Sequence, residues 1–92
     1  MIQSFADKET EKLWRNEKSQ KFSKLVRIAL WRLIQLNAAE SLNDLRVPPG
    51  NRLEALVGNR KRQHSIRTNQ RFRICFTWTS SGPTNVEIVD YH

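Results

Sequence analysis

The run Pro48-Pro49-Gly50 divides this chain into two parts with different periodicities. Two adjacent prolines remove two backbone donors, and a glycine follows that tolerates a left-handed turn, so neither a helix nor a strand passes through. Apolar residues before the break recur with helical spacing, and those after it alternate. A chain built this way predicts an α+β domain in which helices and strands occupy separate layers.

Before the break, residues 2–5 form a candidate short edge strand or hairpin strand. Asp7 then has the character of an N-cap, with Glu9 and Glu11 placed to favour the positive end of a helix. That helix carries Leu13 and Trp14 and fades near residues 16–19. A stronger pattern covers residues 21–39, where Phe22, Leu25, Val26, Ala29, Leu33 and Leu36 follow the i, i+3, i+4 spacing of one buried stripe. Ile28, Trp31 and Ile34 widen its apolar arc, which predicts cover on more than one side. Residues 41–47 read as a connection.

After the break, strands are predicted at residues 52–57, 63–69, 71–78 and 85–91. The third is the clearest, because Phe72, Ile74, Phe76 and Trp78 alternate with Arg71, Arg73, Cys75 and Thr77. Asn69-Gln70 reads as a tight connection and Ser80-Ser81-Gly82-Pro83 as a longer one, and loops this short imply antiparallel neighbours. The predicted architecture is α+β: two N-terminal helices packed on one face of a small, mostly antiparallel β-sheet. Ninety-two residues allow one modest core, so residues 1–92 are read as a single domain.

The formal net charge is +7, which favours a polyanionic partner. The charge is unevenly spread. No acidic residue lies between Glu54 and Glu87, while that interval holds Arg60, Lys61, Arg62, Arg67, Arg71 and Arg73. Cys75 is the only cysteine, so an internal disulfide is excluded, and its apolar neighbours make it a small core residue. Neither a membrane-spanning apolar run nor a signal-peptide pattern is found, and the chain reads as cytoplasmic. The two histidines and Cys75 lack metal-ligand spacing, and no Gly-rich phosphate loop or nucleophile elbow exists, so no metal or cofactor is expected.

Two groups of residues carry the candidate chemistry. Arg67 and Arg73 sit within strands, where a guanidinium fork held by sheet backbone grips phosphate oxygens and stabilises negative charge growing in a transition state. The final run Val86-Glu87-Ile88-Val89-Asp90-Tyr91-His92 brings a carboxylate, a phenol and an imidazole to one sheet edge. His92 exchanges protons near neutral pH, and arginines would make Tyr91 a better base by lowering its pKa. Alternation assigns Asp90 and His92 to one face and Tyr91 to the other. Arg60, Lys61, Arg62 and Arg71 are the candidate RNA-binding cations. His64 reads as a packed sheet residue, and Trp14, Trp31 and Trp78 as core.

Leu45-Arg46-Val47-Pro48-Pro49-Gly50-Asn51-Arg52-Leu53-Glu54, Gly58-Asn59-Arg60, Ser65-Ile66-Arg67, Arg73-Ile74-Cys75-Phe76 and the ending Val86 to His92 together resemble the HigB-type toxins of the RelE/ParE superfamily. The resemblance spans roughly residues 20 to 92. It implies a metal-independent endoribonuclease that cuts mRNA in the ribosomal A site (30S). It also implies a HigA-like helix-turn-helix antitoxin, with operator DNA bound only through the toxin–antitoxin complex. In such chemistry a base activates the ribose 2′-OH for attack on the adjacent phosphate, and an acid protonates the leaving oxygen. Asp90, Tyr91 and His92 would serve proton transfer, and Arg67 and Arg73 would hold phosphate. Glu54 and Val57 stand where some members carry a His and a Lys, which makes Glu54 a further candidate base. The alternatives are a ParE-like gyrase-inhibiting toxin and a non-catalytic basic RNA-binding module.

Overall fold

The computed structural model describes residues 1–90; Tyr91 and His92 lie outside the described residues. The described chain forms two α-helices and a four-stranded antiparallel sheet. The helices are α1 (Lys8–Asn16) and α2 (Val26–Ala38). The strands β1 (Glu54–Ala55), β2 (Gln63–Arg67), β3 (Phe72–Thr79) and β4 (Gly82–Asp90) lie in sequence order. This is the α+β architecture expected from the sequence.

Asp7 caps α1, its carboxylate accepting from the Thr10 amide at 3.3 Å, and Glu9 and Glu11 occupy the first turn. Thr10 is fully buried, and its hydroxyl accepts from the Ile88 amide at 3.0 Å, which ties α1 to β4. The second helix starts later than its periodicity suggests. Ser19 accepts from the Phe22 amide, and a 3-10 turn over Ser23–Leu25 leads into Val26. Phe22 and Leu25 still reach the core, so the apolar spacing outruns the helix.

One face of α2, formed by Ala29, Leu33 and Leu36, packs with Leu13, Phe22, Leu25, Ile66, Ile74, Phe76, Val86 and Ile88. Trp14 and Trp78 are half-buried against this cluster. Trp31 departs from expectation: it is 56% exposed. Of the wider apolar arc Ile28 packs against the core, whereas Trp31 and Ile34 are left facing outward.

The strands differ in length from their sequence patterns for local backbone reasons. β1 is only two residues long, because Arg52 (φ 45°) and Gly58 (φ 68°) take left-handed conformations on either side. β4 starts at Gly82, which pairs with Thr79 across a two-residue turn, so the expected four-residue loop is tighter. The Thr79 hydroxyl donates to the Gly82 carbonyl and accepts from the Ser81 amide. A bulge follows at the left-handed Asn85 (φ 51°), where the register slips between Cys75 and Thr77. The N-terminal segment runs parallel to β4 there, joined by Gln3 to Pro83 and by Ala6 and Ser4 to Val86.

Candidate functional site

Register decides which side chains share a face. Ile66, Ile74 and Ile88 point to the helices, so the residues alternating with them, Ser65, Arg67, Arg73, Cys75, Glu87 and Val89, belong to the opposite face. Arg67 and Arg73 are cross-strand Cα partners on that face. Glu54 partners Ser65 and joins them. Side chains from Arg52, Glu54, Arg67, Asn69, Gln70 and Arg73 line an open cleft of about 340 Å³.

Arg73 is 9% exposed and held from several directions. Its Nε donates to the Ser65 hydroxyl at 2.7 Å, and its Nη2 donates to the Arg52 carbonyl at 2.6 Å. The Glu54 carboxylate lies 3.9 Å away, near the limit of an ion pair. Arg67 is half-buried; its Nε donates to the Asn69 carbonyl at 3.1 Å, and its own carbonyl accepts from Arg32 of α2 at 3.2 Å. Two guanidiniums in register on one face repel each other, and that arrangement is stabilised when an anion sits between them.

The fold agrees with comparisons to known proteins. A family model described as "RelE-like toxin of type II toxin-antitoxin system HigB" matches residues 3–92. The chain is 38% identical over 87 residues to "Toxin HigB-1" of Vibrio cholerae, an alignment covering 92% of each chain. This chain belongs to the HigB family of RelE-like type II toxins. An uncharacterized protein of Haemophilus influenzae is 33% identical over 64 residues, covering 70% of this chain and 63% of that one.

The other expected site residues of this toxin are placed unevenly. Asp90 partners Phe72, which puts it on the helix-facing side, across the sheet from Arg67 and Arg73. There Arg71 Nε and Nη2 both donate to Asp90 Oδ2, at 2.9 and 2.7 Å, and the guanidinium lies 5.2 Å from the Phe72 ring centroid. This hydrogen bond and charge raise the pKa of Arg71. Phe72 in turn packs edge-on against Phe22. Asn69 makes the turn, its side-chain oxygen accepting from the Arg71 and Phe72 amides.

Arg60 belongs to a separate cluster, bonded to Gln63 at 3.0 Å and to Glu87 at 3.2 Å. Lys61 and Arg62 are exposed in the turn before β2. His64 is half-buried on the helix side, its ring stacked near Phe76. Tyr91 and His92, expected to serve proton transfer, lie outside the described residues.

Ser65 and the Arg52 carbonyl, which anchor Arg73, and the cleft-lining Asn69 and Gln70 were not among the candidate site residues read from the sequence. A signal for them exists: Ser65 shares parity with Arg67, and Arg52 with Glu54. Cys75 is fully buried on this face, and burial foremost pushes its thiol pKa up, leaving a neutral thiol. Among the described residues, no group of three His, Cys, Asp or Glu side chains is arranged to hold a metal, and no helix is long and apolar enough to cross a membrane.

Proposed function

We propose that this toxin is a metal-independent endoribonuclease that cuts mRNA in the ribosomal A site. The observation that carries the reading is the cross-strand pair Arg67 and Arg73 beside an open cleft. A scissile phosphate accepted between the two guanidiniums would gain charge-assisted hydrogen bonds that strengthen as it becomes a dianionic phosphorane. A base takes the proton of the ribose 2′-OH, the oxygen attacks phosphorus, and the bond to the 5′-oxygen breaks as an acid protonates it. A 2′,3′-cyclic phosphate and a 5′-hydroxyl result.

Proton transfer is assigned to Tyr91 and His92, which follow directly on the strand end whose Val89 partners Arg73. Glu54, 3.9 Å from Arg73, is a second candidate base at the cleft. Asp90 is assigned an anchoring role through Arg71 rather than contact with the phosphate. Lys61 and Arg62, with Arg60 beside them, would track the flanking RNA backbone.

The test is to map transcript ends after induction in growing cells. Cleavage inside translated frames, lost with Arg73→Ala and with deletion of Tyr91 and His92, is the expected result. Intact transcripts accompanied by DNA-damage signals would replace this reading with gyrase inhibition.

A further inference from the structure

A second surface of this toxin has no role in the cleft chemistry. Along α2, Arg27, Trp31, Ile34 and Ala38 are all exposed and stand at intervals of four, three and four residues, one continuous stripe of a helix. It lies away from the buried stripe of Ala29, Leu33 and Leu36. Trp31 is 56% and Ile34 46% exposed. Neither belongs to the apolar side chains packed around the core, although Val26, Ile28 and Leu30 of the same helix do. A tryptophan and an isoleucine one turn apart make the kind of anchor pair that helix partners bury.

Charge selects the kind of partner. α2 contains no acidic residue, and its first turn has neither an acid nor a side-chain cap. The positive end of the helix is therefore uncompensated and carries Arg27, with Lys24 exposed just before it. A second copy of this chain would bring the same basic rim and another +7 to the contact. An acidic partner would not meet that repulsion.

We propose that this stripe is the docking surface for an amphipathic helix of the cognate antitoxin. That helix would be apolar along one side and would bear carboxylates at the end meeting Arg27 and Lys24. The partner's identity rests on family membership, and the surface does not depend on the cleavage chemistry proposed above.

The test titrates the purified antitoxin encoded beside the toxin gene against the toxin by calorimetry, at low and moderate salt. Trp31→Ala should weaken binding about 30-fold or more, the loss expected of a buried tryptophan anchor, and Ile34→Ala several-fold. Arg27→Glu should weaken it and flatten its salt dependence. Lys12→Glu, on α1, should stay within about two-fold. Thermal unfolding shows which variants are folded, and Trp31→Gln replaces Trp31→Ala if that variant is not. Wild-type affinity in folded Trp31 and Ile34 variants overturns the proposal. So does light scattering that shows the toxin alone dimerising through Trp31. Transcript mapping runs beside it: intact transcripts with the wild type would remove the cleavage reading and leave the calorimetric result standing.

Discussion

Arg67 and Arg73 face each other directly across β2 and β3, two cations in register on the side of the sheet opposite α1 and α2. Their anchoring differs. Arg73 is buried and bonded to Ser65 and to the Arg52 carbonyl, whereas Arg67 is half-exposed and holds the nearby Asn69 carbonyl. Arg73→Ala should therefore lower cleavage about 10²–10³-fold and also destabilise the fold by about 1–3 kcal/mol. Arg67→Ala should lower cleavage with a stability change under about 1 kcal/mol, positive at low salt because a like-charge pair is relieved. Rates of RNA cutting and urea unfolding of both variants check the contrast.

The Arg71–Asp90 pair sits on the other face, at the end of β4. If its purpose is to hold that strand end, either single change, Arg71→Asp or Asp90→Arg, should slow cleavage, and the double exchange should restore much of it. Failure of the exchange, with Asp90→Asn as damaging as Asp90→Arg, would instead assign the carboxylate a chemical role.

Thr10→Val keeps the shape of a fully buried side chain but removes the acceptor of the Ile88 amide. Leaving that donor unsatisfied should cost about 1–3 kcal/mol, while Thr10→Ser should retain most of the bond. Denaturant midpoints of the two variants decide it.

Cys75 supplies a pH signature. Burial raises its thiol pKa above the ordinary 9.0, so the native state keeps the proton where the unfolded chain releases it. The stabilising contribution is full below about pH 9 and declines as pH rises from there toward the native pKa. The stability difference between wild type and Cys75→Ala should shrink over that range. The native thiol should also resist alkylation at pH 8 until the protein is unfolded.

Cleavage, if carried by the arginines and the C-terminal groups, should persist in EDTA. Loss of cutting on chelation, restored by a divalent cation, would require a different account of the phosphate charge.

What was legible in the sequence follows from which forces act locally. β3 is readable because alternation reports burial on one face, and Phe72, Ile74, Phe76 and Trp78 all lie on the helix side. The cap at Asp7 is readable because it involves only residues three apart. Trp31 is misread because an apolar arc on a helix does not say how much of it the sheet will cover. The capture of Asp90 by Arg71 depends on the turn made by Asn69, which folds a residue of cleft-side parity around the strand end. Parity with Arg67 gives Ser65 its face, but Ser65 as the anchor of Arg73 depends on cross-strand register, which parity alone does not fix.

The N-terminal segment has a consequence in time. Residues near positions 3 to 6 pair with residues 83 to 86, at the far end of the sequence. Residues 3 to 6 must wait for residues 83 to 86 before these bonds can close, and loop closure over that span is slow compared with forming α1 or the β2–β3 hairpin. A nascent toxin is thus incomplete along this edge of β4 until residues 83 to 86 have left the ribosome. The β2–β3 pairing that sets Arg67 opposite Arg73 is local and closes early, whereas the edge of β4 bridged by the N-terminal segment closes after it.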